Sequence, residues 1–470
     1  MTAIIWFRRD LRIEDNPAFA AACNANKSVI PLYIHDKGLS LALGEAQKWW
    51  LYHSLKSLDK LLNLKGLRLC LKNGDPLSVL KDLIKKYHAN QVYWNISIEP
   101  EQRAQDKKIR EMLTSENIKI NTYSGSLLID PETIRTQQDE YYKVFTPFWR
   151  QCLQQLSIPE KHIVSHWPDS PDAKKDNLDD WNLLPQKTNW AKEFELKWRP
   201  GQDGAQIKLE NFIENHLNDY DRQRDIPTAE ATSYLAPHLH FGEISSWQIW
   251  RTIEELKRNP QRNIKAIERF CSELGWREFS HYLLYHFPDL PHANFRSKFD
   301  AFPWQNNKDN LTKWQKGLTG YPVVDAGMRE LWRTGYMHNR IRMITASFLT
   351  KDLLIDWRLG AKWFFYTLLD ANLANNSANW QWVAGSGADA APYFRIFNPV
   401  LQGEKFDPNG DYIRKWVPEL AALPAKWIHK PWQAPRGALS VKIGKDYPEP
   451  IVEHGKAREK ALNIYKTLKD

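Results

Sequence analysis

The stretch from Met337 to Trp382 reads MHNRIRMITASFLTKDLLIDWRLGAKWFFYTLLDANLANNSANWQW. Apolar residues recur at helical spacing in its first half and again from Trp363, which predicts two helices joined through 356–360, with Gly360 near a helix boundary. Its polar residues are unusual for a surface helix pair, because arginines open the first helix and asparagines crowd the end of the second. This set favours a pocket for a large, flat ligand with polar edges.

The N-terminal part of the chain alternates short apolar runs with helical patterns, which predicts a doubly wound parallel α/β sheet. No GxGxxG follows the first apolar run, so a Rossmann dinucleotide site is not indicated. The predicted strands are Ala3–Phe7, Ser28–Ile34, Leu67–Leu71, Gln91–Trp94 and Ile118–Tyr123. The predicted helices begin near Pro17 and cover Glu45–Leu64, Pro76–Tyr87 and Pro100–Glu116.

From Gly201 onward the patterns are nearly all helical, which predicts a larger all-α C-terminal domain. A proline-punctuated stretch before it, with a helix around Pro147–Gln155, predicts a long connection. We therefore divide the chain into an α/β domain over 1–125, a connection over 126–200 and an all-α domain over 201–470. The predicted helices of the last part are Ala205–Leu217, Ser246–Arg258, Ile264–His286, Lys308–Gly317, Val324–Gly335, Arg340–Leu354, Trp363–Leu369 and Glu453–Leu468.

The composition sets broad limits on function. The net charge of +9 permits a polyanionic partner, although in a chain of 470 residues such a charge more often serves solubility. The four cysteines are scattered without metal-ligand spacing, which predicts reduced thiols in a cytoplasmic protein without a metal site. No apolar run reaches bilayer length, so we expect no membrane span, and a monomer is the default expectation.

Several polar residues allow both a structural and a functional interpretation. Thr232 and Ser233 could hold a diphosphate, but from spacing alone a helix cap is favoured. Glu273 and Trp276 are three residues apart and share one helical face, where a polar rim beside a core is common. For Asn376, in an asparagine-rich segment, a turn is favoured.

Two long stretches resemble signatures of the DNA photolyase and cryptochrome family. They are Thr319–Arg329 (TGYPVVDAGMR) and Asn339–Arg358 (NRIRMITASFLTKDLLIDWR), and the likeness extends from Trp6–Arg12 (WFRRDLR) to about Glu453. Within the family, the chain most resembles bacterial class I cyclobutane pyrimidine dimer photolyases. The resemblance implies a lyase that repairs these dimers in DNA under blue light, by electron transfer from excited reduced FAD to a flipped-out dimer.

The resemblance also implies which residues hold the FAD in the all-α domain. Arg342 and Asp370, expected on separate helices, would pair beside the isoalloxazine ring, and Asn376 would face its N5 atom. The Thr232–Ser233 segment would hold the phosphates. The full implied set is Tyr220, Thr232, Ser233, Tyr234, Leu235, Ala236, Phe270, Glu273, Arg277, Asn339, Arg342, Asp370, Asn372 and Asn376.

Catalysis and DNA binding are implied by the same likeness. Glu273 would hydrogen-bond the damaged bases and stabilise the dimer radical anion. Trp304, Trp357 and Trp380 would relay an electron from the surface to the flavin, and Asn376 completes the implied catalytic set. The implied contacts with UV-damaged DNA are Arg224, Glu273, Trp276, Asn339, Arg340, Met343, Trp382, Arg395 and Lys405.

The sequence leaves open the identity of a second chromophore and the exact function within the family. The family's N-terminal domain holds a second, antenna chromophore, here methenyltetrahydrofolate or a deazaflavin, but Leu43–Leu51 and Glu99–Gln102 do not reproduce the folate contacts of the well-known bacterial enzymes. Another flavin or no pigment therefore also remains open.

A cryptochrome photoreceptor and a (6-4) photolyase are the alternative functions. The first is disfavoured by the short tail, and the second by Asn339 and Met343 in place of histidines.

Overall fold

The computed structural model describes residues 2–39, 42–187, 189–390, 394–435, 437 and 440–468. Internal contacts divide the chain into two compact units. The first comprises Met1–Tyr142, Thr146–Asn218 and Ser233–Pro288, and the second comprises Lys143–Phe145, Asp219–Thr232 and Asp289–Asp470. These discontinuous units do not correspond to the continuous domains predicted from the sequence, and those domain bounds stay a prediction.

A five-stranded parallel sheet forms the centre of the first unit, which confirms the predicted α/β architecture. The strand order is β3-β2-β1-β4-β5. Strands β1 and β2 read as nearly continuous apolar runs because both faces of a parallel sheet are covered. The strands are β1 (Thr2–Phe7), β2 (Ser28–His35), β3 (Cys70–Asn73), β4 (Ala89–Asn95) and β5 (Lys119–Tyr123).

The third strand begins later than the sequence predicted. Leu67 and Leu69 are buried, as a strand pattern would require. However, the Leu67 amide donates to the Leu62 carbonyl and so closes the preceding helix. Pairing with β2 starts only at Cys70. Burial alone produced the apolar pattern, and the backbone hydrogen bonds decided the boundary.

Helices account for most of the remaining described residues. They are α1 (Pro17–Ala25), α2 (Glu45–Asn63), α3 (Pro76–Tyr87), α4 (Pro100–Ser115), α5 (Phe145–Gln155), α6 (Lys192–Lys197), α7 (Gln202–Asn215), α8 (Tyr220–Gln223), α9 (Ala236–Phe241), α10 (Ser246–Leu256), α11 (Ile264–His286), α12 (Lys308–Lys316), α13 (Pro322–Thr334), α14 (Asn339–Ser347), α15 (Trp357–Thr367), α16 (Leu373–Ala384), α17 (Pro399–Phe406), α18 (Asp411–Trp416), α19 (Ala425–Ile428) and α20 (His454–Thr467). Short 3-10 turns lie at Pro131–Thr133, Leu178–Trp181, Leu217–Asp219, Pro227–Ala229, Ser297–Ala301, Pro418–Leu420 and Pro431–Gln433.

The second unit is helical throughout its described residues, apart from one isolated bridge between Ile443 and Tyr447. This confirms the predicted helical C-terminal architecture. Helices α12 to α16 surround an aromatic core in which Trp314 and Trp357 are fully buried. Helix α14 continues into a π-helical turn over Phe348–Asp352, so the single helix predicted over Arg340–Leu354 changes its hydrogen-bonding pattern midway.

Gly360 lies near a helix boundary as predicted, but the predicted helix start at Trp363 is wrong. Helix α15 begins at Trp357, where the Asp356 side chain accepts from the Arg358 amide, and Gly360 lies inside the helix. A Cβ at Gly360 would lie 2.2 Å from Cη2 of Trp380. The glycine is therefore required for the close approach of α15 and α16, and it does not end a helix.

The asparagine-rich segment is also a helix, not the predicted turn. Asn372 begins α16 by accepting hydrogen bonds from the amides of Ala374 and Asn375. Asparagine is a weak helix former, but Trp380 and Gln381 on this segment are buried. Packing and one good N-cap therefore override the local propensity.

The described residues offer neither a membrane-spanning helix nor a cluster of metal ligands. No helix in the described part of the chain is both long enough and apolar enough to span a bilayer. No group of three or more His, Cys, Asp and Glu side chains among the described residues is arranged to hold a metal ion. The four cysteines are free and buried.

Candidate functional site

A partly buried ion pair joins the start of α14 to the turn before α16. Arg342 donates from Nη2 to Asp370 Oδ2 at 2.9 Å and from Nε to the Met337 carbonyl at 2.7 Å. His338 fixes the start of α14, because its Nδ1 accepts from the Arg340 amide at 3.2 Å. Asp370 lies in the turn between α15 and α16, so the expected placement on a second helix is wrong. Arg342 is thus held by both a backbone carbonyl and a carboxylate.

The electrostatics of this pair mark it as more than a surface contact. The side chains are only 23% and 7% exposed for Arg342 and Asp370. Burial lowers the pKa of Arg342, but the charge and hydrogen bond of Asp370 outweigh that effect, and its net pKa is raised. Asp370 Oδ1 is buried and accepts no hydrogen bond from any described residue. A buried carboxylate oxygen without a partner costs stability, which favours a binding role for this partly buried pair.

Tyr336 extends the site toward the Thr232 segment. Its hydroxyl lies 3.2 Å from Thr232 Oγ1. The Arg342 guanidinium lies 5.6 Å from the centre of the Tyr336 ring. Burial raises the pKa of Tyr336, so this phenol stays protonated at neutral pH. The sequence interpretation missed this residue because nothing in its spacing distinguishes it from an ordinary core tyrosine.

Helix α16 carries the amide and aromatic groups that the sequence singled out. Asn376 Nδ2 donates to the Ala361 carbonyl on α15 at 2.9 Å, which leaves Oδ1 as its acceptor. The side-chain oxygen of Asn372 is used to cap the helix. Trp380 is 3% exposed, and its Nε1 has no partner among the described residues.

The tryptophans of the predicted relay belong to one packed region of the second unit. Trp357 and Trp380 are members of its core cluster, and Trp304 and Trp382 pack against that cluster while keeping partial exposure. Trp357 Nε1 donates to Asn294 Oδ1 at 2.9 Å, a contact that no sequence pattern indicated. Trp304 lies against Phe302 with ring centres 4.3 Å apart. The three tryptophans thus share one packed region, and Trp304 is the partly exposed one among them.

The cationic candidates of the second unit differ in their environment. Arg340 donates to Asp225 Oδ2 at 2.8 Å and lies 4.4 Å from the Phe406 ring centre. Arg395 and Lys405 are exposed and form no ion pair with any described residue. The remaining candidates of this unit, Tyr220, Arg224, Asn339 and Met343, range from buried for Tyr220 to exposed for Asn339.

Four predicted site residues lie on α11, in the first unit. Glu273 and Trp276 keep partial exposure, and Glu273 pairs with Arg269 at 3.5 Å. Phe270 is buried against Phe212, with ring centres 4.7 Å apart. Arg277 donates to the Ser126 carbonyl at 3.1 Å and to Glu278 at 2.9 Å, so much of its guanidinium serves the fold.

The segment from Ser233 to Ala236 also belongs to the first unit. Tyr234 has a φ of 55°, a strained left-handed conformation for a tyrosine. Its ring packs 6.0 Å from that of Trp198. The Leu235 amide donates to Ser233 Oγ at 3.4 Å, so this hydroxyl shapes the turn that enters α9.

The second unit thus combines a partly buried Arg–Asp pair with a tryptophan-rich core. Two family profiles match the chain: "DNA photolyase" over residues 3–169 and "FAD binding domain of DNA photolyase" over 270–467. Deoxyribodipyrimidine photo-lyase of Agrobacterium fabrum is 49% identical over 99% of this chain and 98% of that protein. Cryptochrome-2 of Arabidopsis thaliana is 38% identical over 97% of this chain and 77% of that protein.

Solved structures give the same result. A bacterial class III photolyase from Agrobacterium tumefaciens matches with a TM-score of 0.95 and 48% identity, covering 99% of this chain and 97% of that one. An archaeal photolyase from Sulfolobus tokodaii, described with two FAD molecules, matches with a TM-score of 0.85 and 31% identity, covering 99% and 100%. The chain belongs to the DNA photolyase and cryptochrome family. The resemblance to class I in particular is not confirmed by these comparisons.

Proposed function

We propose that this protein is a deoxyribodipyrimidine photo-lyase, which uses light to repair cyclobutane pyrimidine dimers in DNA with FAD as its cofactor. The single observation that carries the proposal is the partly buried Arg342–Asp370 pair, whose buried Asp370 Oδ1 has no partner among the described residues. The 49% identity to a protein named deoxyribodipyrimidine photo-lyase supports the same activity.

The residues of the second unit fit an FAD. Asp370 Oδ1 is an orphan acceptor for a ring N–H, and Arg342 supplies a fixed positive charge that would favour an anionic reduced ring. When bound in its reduced form, FAD supplies, on absorbing light, an electron that the dimer returns after its two inter-base bonds have broken. The protein's task is to bind, orient and exclude water.

Asn376 is proposed to act at the flavin N5 position. Its Nδ2 donates one of its two N–H groups to the Ala361 carbonyl, so Oδ1 and the second N–H remain to face the ring. An amide can accept or donate a hydrogen bond, but it does not ionise at neutral pH. The residue would therefore stabilise one protonation state without titrating itself.

Trp380, Trp357 and Trp304 are proposed to carry electrons inward when the cofactor has become oxidised. Their membership of, or contact with, one core cluster supports this role. Trp304 keeps partial exposure, so an external reductant can reduce it again after it has given up an electron. This relay serves reactivation and takes no part in the repair cycle.

We assign lesion recognition, from the family resemblance, to Glu273 and Trp276 of the first unit and to Arg224, Asn339, Met343 and Trp382 of the second. Glu273 offers a carboxylate to the N–H edges of a flipped dimer, and the aromatic side chains offer stacking surfaces. Three cations are proposed to hold the DNA backbone, which fixes position but not sequence. They are the exposed Arg395 and Lys405 and the partly buried Arg340, which also pairs with Asp225.

The other predicted cofactor contacts remain part of the proposal. Thr232 is supported by its contact with Tyr336. The remaining members are Tyr220, Ser233, Tyr234, Leu235, Ala236, Phe270, Glu273, Arg277, Asn339 and Asn372.

A second, antenna chromophore is proposed in the N-terminal domain. The candidates are methenyltetrahydrofolate, a deazaflavin and, because the Sulfolobus tokodaii photolyase is described with two FAD molecules, a second flavin. Extraction and chromatography of the pigments would identify it. We further propose class III membership, from the 48% identity to a class III photolyase, and a monomeric cytoplasmic enzyme.

Light-dependent loss of cyclobutane dimers from irradiated DNA tests the proposed function. A cryptochrome photoreceptor is the alternative, because cryptochromes are among the relatives at 38% identity. Flavin photochemistry without dimer loss would select that alternative. Loss of (6-4) photoproducts in place of cyclobutane dimers would select a (6-4) photolyase.

A further inference from the structure

A second buried carboxylate lies on α13, in the same unit as the Arg342–Asp370 pair. Glu330, on α13, is 6% exposed. Its Oε2 accepts a hydrogen bond from the Tyr412 hydroxyl at 2.5 Å. The sequence interpretation gave this residue no role, because a glutamate inside a helix is usually a surface residue.

The backbone around Glu330 leads directly into the candidate site. Its carbonyl accepts from Thr334 Oγ1 at 2.8 Å, and the same hydroxyl oxygen accepts from the Tyr336 amide at 3.3 Å. Tyr336 in turn meets Thr232, and its ring lies 5.6 Å from the Arg342 guanidinium. Helix α13 and the Tyr336 segment therefore hold Glu330 in a fixed relation to the site.

The charge of Glu330 acts on the groups that line this site. Burial raises the pKa of Tyr336, and the charge of Glu330 raises it further. For Arg342, burial lowers the pKa, whereas the negative charges of Asp370 and, more weakly, Glu330 raise it. A charge in a poorly solvated interior reaches farther than one at the surface.

We propose that Glu330 is a positioning residue that tunes the reduction potential of the bound FAD through its negative charge. The inference rests on the proposed function, because it requires FAD beside Arg342 and Asp370. Reduction of oxidised FAD to its anionic reduced form adds two electrons and one proton, so it adds one negative charge. A second carboxylate disfavours that charge, lowers the potential and makes the reduced cofactor a stronger electron donor, which suits repair.

The test compares purified wild-type protein with Glu330→Gln, a substitution that removes the charge and keeps the shape. The ratio of reduced to oxidised FAD is read from absorbance in the dark at a fixed applied potential. We expect the ratio to rise about tenfold in Glu330→Gln, the size of effect one charge exerts through a protein interior, which for a two-electron couple is about 30 mV. Glu330→Asp, which retains the charge, should stay near the wild-type ratio.

Glu404→Gln is the matched control, because Glu404 pairs with Lys430 at 2.8 Å and is partly exposed. It should leave the ratio unchanged. An unchanged ratio in Glu330→Gln with FAD retained would overturn the inference while leaving the proposed function intact. Loss of FAD in Glu330→Gln would also overturn the inference. Glu330 would then be needed for FAD binding and not for setting the reduction potential of FAD. A wild-type protein without FAD would refute the proposed function itself.

Discussion

Arg342 holds Asp370 at 2.9 Å through one carboxylate oxygen, while the other oxygen is buried without a partner among the described residues. This relationship predicts one tightly but non-covalently bound FAD per chain. Asp370→Ala should lower the FAD content of the purified protein and weaken FAD binding about 10- to 100-fold, because Arg342 would keep a partly buried charge without its counter-ion. Heat release followed by chromatography measures the content.

Glu419→Gln provides the control for that substitution. Glu419 pairs with Arg329 at 2.8 Å in the same unit, so it tests whether loss of any arginine–carboxylate pair has this effect. Equal FAD loss in both variants would contradict a specific role for Asp370.

Trp304→Phe should block photoreduction of oxidised FAD by external reductants and leave repair by pre-reduced enzyme nearly unchanged. Phenylalanine keeps most of the contact with Phe302 but oxidises far less readily. Trp432→Phe is the control, since Trp432 packs against the same core cluster outside the proposed relay. Photoreduction at the wild-type rate in Trp304→Phe would remove this residue from the relay.

Arg395→Ala and Lys405→Ala should each weaken binding of damaged and undamaged DNA alike. Both residues are exposed without ion pairs to described residues, so each is free to replace a condensed counterion. The slope of log affinity against log salt should fall by about one for each variant, as fluorescence anisotropy at several salt concentrations would measure. Lys466→Ala, on the exposed face of α20, should change neither quantity. A loss limited to damaged DNA would assign these residues to lesion recognition.

Histidine burial predicts that acid destabilises the fold. Burial lowers the pKa of His338 to about 4, and the residue is 4% exposed. Between the unfolded value of about 6.5 and the folded value, the unfolded chain binds more protons, so stability falls as the pH falls through this window. From pH 7 to pH 5 this one residue should contribute about 2 kcal/mol of the loss.

His338→Asn tests that assignment. Asparagine is a good N-cap and does not titrate, so α14 keeps its first-turn hydrogen bond. The pH dependence of urea unfolding should be flatter in this variant than in wild type. Parallel curves for the two proteins would mean that other groups cause the acid sensitivity.

Much of the fold was predictable because local patterns and tertiary structure agree. The apolar runs of β1 and β4 are buried on both faces, and proline–aspartate signals mark the start of α3. The prediction was wrong where tertiary contacts decide: α15 continues through Gly360, which the Trp380 ring requires, and α16 forms despite its asparagines. No local pattern contains either contact.

The candidate site shows the same limit. Arg342, Asp370 and Asn376 came from a family resemblance and not from spacing. Tyr336 and Glu330 could not be found in this way, because their significance depends on contacts with Thr232 and Tyr412 that are distant in sequence. Hydrogen bonds between buried groups that are distant in sequence can be identified only in a three-dimensional structure.

The central claim is light-driven repair of cyclobutane dimers, and the most direct test is one measurement on the wild-type protein. UV-irradiated DNA carrying both cyclobutane dimers and (6-4) photoproducts is incubated with pre-reduced enzyme, in blue light and in darkness, and both lesions are counted. We expect the cyclobutane dimers to disappear only in the light and the (6-4) photoproducts to persist. Persistence of the cyclobutane dimers in the light, with FAD bound and reduced, would contradict the account.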